Sequence, residues 1–220
     1  MLLRRGSDAL LPLYQNRLFH SDQRALSHWQ VAQELADHTV DWKRGAVDVA
    51  MYKGRVRRLE AYVLRYGAEV EITPKPFDDF MLVHMSLRGA AEVESDGQRI
   101  EVAEGRAALI APKHNVRLRW PAGPEQLILK VPHALAHEVR ALHGRNDMYF
   151  VPGCLSPSAL APHWDMLVQS VLGVMRLPAD SGLSPLSDGK RITPSTDCIS
   201  MSHCGASADG IRQPGTKSMS

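Results

Sequence analysis

Histidine can bind a metal or move a proton near neutral pH, so the histidines are the first place to look for chemistry. His84 stands in FMLVHMSL (residues 80–87), a run whose residues alternate across two faces. Phe80, Leu82, His84 and Ser86 share one face; Met81, Val83, Met85 and Leu87 share the other. A catalytic metal takes about three protein ligands. The residues two before and two after His84 are Leu82 and Ser86, so neither adds a ligand. His114, in APKHNVRLRW, is a distant second histidine, and two histidines without a carboxylate make a poor centre. No metal or other cofactor is expected. His133 and His137 lie four apart on one face of a helical stretch, with no third ligand beside them, and read as a solvated face. Cys154, Cys198 and Cys204 show no zinc-type pairing and read as free thiols of a reducing compartment. With no G-x-S-x-G elbow and no phosphate-cradling glycine loop, nothing points to an enzyme.

Other residues suit ligand contact better than catalysis. AYVLRYG sets Arg65 among apolar strand residues, and a buried guanidinium needs an anionic partner. That partner is either a bound carboxylate or one of Glu69, Glu71 and Asp78. Trp120 either stacks on a planar ligand or belongs to the core. Lys53, Arg55, Arg57 and Arg58, with Lys43 and Arg44 before them, form a small basic patch best read as solvated charge. The formal net charge of +2 is too mild to mark a nucleic-acid binder by itself.

These residues need a scaffold. A helix is expected over about 22–37, where Leu26, Trp29, Gln33 and Ala36 follow Ser21-Asp22 at helical spacing. From Asp48 the pattern becomes short alternating runs: VDVAMY, RLEAYVLRY, EVEITPK, FMLVHMSL, GAAEVES, QRIEVAE, RAALIAP, NVRLRW and EQLILKVP. Breaks fall at Gly54, Gly67, Pro74, Gly89, Gly97, Gly105, Pro112 and Pro121, and Ser95-Asp96-Gly97 reads as a hairpin turn. Many short strands with this punctuation imply an antiparallel barrel or jelly roll. After Pro132 the period becomes helical in HALAHEVRALH. A second helix from Ser158 carries Leu160, Trp164, Leu167, Val168, Val171, Leu172 and Met175 as one stripe. That stripe is wide enough to cover the barrel and still pair with a twin. From Ala179 the chain turns rich in Ser, Gly and Pro and lacks aromatic residues, so it cannot bury enough surface to order itself. No apolar run is long enough to span a bilayer, and the start lacks a clean signal-peptide core, so a cytoplasmic protein is expected.

The order of these pieces resembles a known family. FHSDQRALSHWQ leads into MYKGRVRRLEAYVLRYGAEVEITPKP, followed by VHMSLRGAAEVESDGQRIEVAEGRAALI and the strand-to-helix step LILKVPHALAHEV. Together they resemble the N-terminal effector-binding domain of AraC/XylS-type transcriptional regulators over roughly residues 19 to 177. The resemblance implies a mostly β fold with flanking helices: a cupin-like antiparallel β-barrel or jelly roll, then a C-terminal helical pair and a disordered tail. The expected organisation is an N-terminal extension (1–20), the barrel with its leading helix (21–132), a helical dimerisation segment (133–178) and the tail (179–220). It also implies a small effector, aromatic or another small organic acid, and a homodimer or a heterodimer with full-length relatives. DNA would be reached only through a helix-turn-helix domain that this chain lacks, as a truncated or frame-shifted gene would leave it. Tyr62, Arg65, His84, His114 and Trp120 are the expected effector-binding residues, and the stripe from Leu160 to Met175 is the expected dimer contact. The alternative is a small metal-dependent cupin-type enzyme, whose ligand pattern of paired histidines and a carboxylate is missing around His84.

Overall fold

Short runs rich in β-branched and aromatic residues, closed by glycine or proline, favour strands over helices. The computed structural model describes residues 8–95, 97–110, 116–142, 154–155 and 161–177. A 3-10 turn (Asp8–Leu10) and helix α1 (Leu11–Tyr14) lead into β1 (Arg17–Ser21), helix α2 (Arg24–Glu34) and β2 (His38–Trp42). The nine alternating runs become β3 (Val49–Val56), β4 (Leu59–Arg65), β5 (Val70–Pro74), β6 (Phe80–Arg88), β7 (Ala91–Ser95), β8 (Gln98–Val102), β9 (Ala107–Ile110), β10 (Val116–Trp120) and β11 (Glu125–Pro132). Then come α3 (His133–Leu142), β12 (Cys154–Leu155) and α4 (Ala161–Val174).

Among the described residues the strands form two antiparallel sheets, ordered β1-β3-β4-β11-β6-β9-β12 and β2-β5-β10-β7-β8. Alternation then sorts the side chains. Tyr62, Leu64 and Tyr66 of the β4 region, with Leu82, Ile110, Leu118, Trp120 and Ile128, fill the core between the sheets. Val31 and Leu35 from the α2 end join that core. The odd-numbered partners Val63, Val83, Met85, Leu87, Leu127 and Leu129 form a second core on the outer face of the larger sheet. A sheet apolar on both faces needs a second cover. Leu10 and Leu13, together with Val168 and Leu172 of α4, provide it.

Several sequence expectations change here. Residues 8–20 are not a separate extension, because β1 pairs with β3 and Leu10 and Leu13 lie in the second core. Cys154 lies beyond the barrel expected over 21–132, yet β12 extends the larger sheet by pairing with β9. Gly54 is no break: β3 runs through it. A Cβ there would stand 1.9 Å from Met175 Cε and 2.7 Å from Leu13 Cδ2, so the glycine marks a close approach. The chain turns instead between β3 and β4, where Arg57 adopts a left-handed φ of 51°. The turn at Gly97, with φ 78°, does join a hairpin, β7 with β8. The run containing His84 belongs to the other sheet, where β6 pairs with β9 and β11.

The helical stripe is also redistributed. Val168, Val171 and Leu172 are buried within the chain, and Trp164 and Met175 pack against the second core. They are therefore not a free dimer contact; Leu167 is the described member of the stripe that remains exposed. Leu160 and the whole 179–220 tail lie outside the described residues.

Candidate functional site

Register builds the site from both sheets. Across the larger sheet Tyr62 stands opposite Ile128, Ile128 opposite His84, and His84 opposite Ala108, forming one inward row. Across the smaller sheet Trp42 and Trp120 flank Val70 in a facing row. Between the rows lies a lumen lined by Leu64, Tyr66, Ile72, Leu82, His84, Leu118, Trp120 and Ile128. Val31, Leu35 and His38, with Pro74 and Phe77 of the β5–β6 connection, also line it. The lumen is small in this conformation, about 40 Å³, or room for roughly three waters. An organic ligand must push part of this wall outward.

The lining is apolar except for four buried atoms that lack a hydrogen-bond partner among the described residues: His84 Nε2, Tyr66 Oη, Trp120 Nε1 and His38 Nε2. Buried polar atoms are normally paired, so such a convergence marks a place built to meet something polar. The rings are held edge to face. Tyr66 and Trp120 centroids are 5.4 Å apart, Trp42 and Tyr66 are 5.5 Å apart, and His84 and Trp120 are 6.2 Å apart. Burial pushes the His84 imidazole down to about 3, because a charged ring in this surround would lose its hydration unrepaid. Burial also lowers His38, the hydrogen bond to the Ala36 carbonyl offsetting only part of the shift. That bond, 2.7 Å from Nδ1, assigns the proton of neutral His38 to Nδ1 and leaves Nε2 as an acceptor. Burial raises the Tyr66 phenol, which stays protonated.

The expected residues divide. His84 and Trp120 line the lumen. Tyr62 points inward and is fully buried, but its hydroxyl is engaged elsewhere, 2.8 Å from Glu60 Oε2 and 3.1 Å from Glu34 Oε2. Arg65 is misassigned: it has the opposite strand parity to Tyr62 and Tyr66, and it pairs at 3.1 Å with Asp48. The carboxylate it meets is thus Asp48 rather than Glu69, Glu71 or Asp78, while its Nε stays buried without a partner among the described residues. His114 lies outside the described residues. Two polar lumen residues were missed. Tyr66 was detectable by parity, being four positions from Tyr62; His38 was not, because the five-residue run HTVDW stands apart from the series of alternating runs that begins at Asp48.

Charge gathers where α2 meets the barrel. Lys53 Nζ lies 2.7 Å from Glu34 Oε2 and 3.0 Å from Glu60 Oε1, while Lys130 donates to the Glu34 carbonyl at 2.8 Å. Burial pushes the Glu60 carboxyl up, yet hydrogen bonds from Lys53 and Tyr62 more than offset it and hold it low. The C-terminal end of α2 is thus tied to β3, β4 and β11. Within the basic patch, Lys53 belongs to this network, Arg58 pairs with Glu138, and Arg55 donates to the Arg57 carbonyl. Among the described residues no three metal-ligating side chains converge, and no helix is long and apolar enough to cross a membrane.

The profile of the AraC-binding-like domain matches residues 27–187. The chain belongs to that family. The AraC-like transcriptional activator CuxR superposes with a TM-score of 0.53 at 15% identity, over 79% of this chain and 64% of that one. This chain therefore spans under two thirds of the CuxR chain, and the likeness is one of fold. KdgF from Halomonas sp. matches at 20% identity and a TM-score of 0.34 over 42% of this chain and 87% of its own. A cupin protein from Desulfovibrio desulfuricans matches at 15% identity and 0.33, over 38% and 81%. Both scores are too low to establish a shared fold. No curated protein matches significantly. The AraC-binding-like domain is thus a mostly antiparallel β domain of two sheets with flanking helices.

Proposed function

We propose that this domain is the sensing part of a transcription regulator, taking a small organic effector into the lumen between its sheets. The observation that carries the reading is the set of four unpartnered polar atoms converging on an otherwise apolar interior. Val31 and Leu35 belong to the lumen wall while Glu34 holds the same helix end to the barrel. An occupant that enlarges the lumen presses on α2 and strains that tie, which is how occupancy would reach the outer surface.

In this reading the domain pairs through the outer side of α4, where Met166 and Leu167 are 64% and 46% exposed. Their neighbours Val168 and Leu172 hold the helix to the sheet. DNA contact is assigned to a separate helix-turn-helix domain, in the same polypeptide or in a full-length relative. Among the described residues no two helices meet at a tight turn of that kind.

A thermal-shift screen of small aromatic and alicyclic compounds tests the sensing role. A ligand at one hundred times its Kd stabilises by about 2.7 kcal/mol, a Tm rise of roughly 5–10 °C for a domain of this size. The rise should shrink in Leu82→Phe, which fills the lumen. A hit indifferent to that substitution, with the variant still folded, would place the binding site elsewhere.

A further inference from the structure

We propose that the lumen takes an uncharged, flat and largely apolar molecule with one hydrogen-bond donor and one acceptor, of the phenol-ester or phenol-ketone kind. This rests on the reading of the lumen as the ligand site and narrows what fills it; it also replaces the small organic acid expected from sequence.

Charge complementarity decides the first half. Among the described residues none that lines the lumen is Lys, Arg, Asp or Glu. Arg65, the cation expected to hold a carboxylate, sits on the other side of its strand against Asp48. The two histidines of the wall are both neutral near pH 7, because burial lowers each. An ionised carboxylate would enter with no counter-charge and little hydration. A cation fares no better. The rings meet edge to face at interplanar angles of 72–74°, so they do not form an open box of π faces around an ammonium.

Hydrogen-bond roles decide the second half. Trp120 Nε1 can only donate, so it needs an acceptor on the ligand. His38 Nε2 can only accept, because Nδ1 carries the proton toward the Ala36 carbonyl, so it needs a donor. Tyr66 Oη and His84 Nε2 can serve either group. A hydroxyl and a carbonyl on one planar frame answer these requirements, and a polyol offers far more polar groups than this wall can pair.

Calorimetric titration of the full chain at pH 7 with three matched probes tests the inference: methyl 4-hydroxybenzoate, 4-hydroxybenzoate and 4-hydroxyphenethylamine. The neutral ester should bind at least ~10-fold more tightly than either charged probe. Trp120→Phe, which deletes the donor and keeps a ring, should weaken the ester by roughly 2- to 10-fold. If a charged probe binds as tightly as the ester and loses binding in folded Leu82→Phe, the lumen is a ligand site and the assignment of neutrality is wrong. If a charged probe binds and Leu82→Phe leaves it untouched, or if none of the three binds, the lumen reading falls as well.

Discussion

His84 should make the domain sensitive to mild acid. Its burial holds the imidazole at about 3 in the folded chain, against an ordinary value of 6.5 in the unfolded one. The folded state therefore binds fewer protons than the unfolded state between those values. The stabilising effect of keeping the ring neutral is complete above 6.5, falls as pH drops below 6.5, and levels off near 3. Each pH unit in that window costs about 1.4 kcal/mol. From pH 7 to pH 5 the loss is about 2 kcal/mol, a shift of roughly 1 M in the urea midpoint. His38, also lowered by burial, adds to the loss in wild type. The control is His84→Gln, which keeps a polar side chain of similar reach and cannot titrate. Urea unfolding of both proteins at pH 7 and pH 5 isolates the His84 share, because His38 and the surface carboxylates are common to both. The wild type should lose about 2 kcal/mol more than the variant. Equal losses in the two proteins would show that His84 is not held neutral in a dry lumen, and the account of the site would fail with it.

The remaining predictions concern packing and assembly. Gly54→Ala places a methyl group against Met175 and Leu13 and should cost about 1–3 kcal/mol; Met175→Ala in the same chain should recover part of that loss, and strict additivity would contradict the contact. On the proposed pairing through α4, Leu167→Asp should leave a folded monomer in sedimentation, since Leu167 is 46% exposed. Val168→Asp should instead unfold the domain, because Val168 is fully buried. A wild-type monomer at tens of micromolar would refute pairing through α4.

Much of the barrel was legible because its signal is local. The runs that became β3 to β11 alternate clearly, and α3 and the bulk of α4 follow their apolar periods. Strand β1 was missed because RLFHS mixes polar and apolar residues on both sides of its alternation, and β2 because HTVDW is a five-residue edge segment apart from the series that begins at Asp48. Gly54 misled for a related reason: a glycine that ends a strand and one that admits a neighbour look alike in sequence.

Within the candidate site the same limit recurs. The chain alone placed His84 and Trp120 on strands, denied His84 a neighbouring metal ligand, and showed that β6 is apolar on both faces. It could not say which face of β4 looks inward, so Arg65 was chosen over Tyr66. It could not bring His38 to His84 either, since that meeting depends on two strands from different sheets. Nor could it divide the α4 stripe between the sheet it covers and the side it leaves open. Periodicity belongs to each element and is written in its residues. Which face is buried, and which polar atoms end up without partners, are properties of how the sheets and helices pack, and only the folded chain decides them.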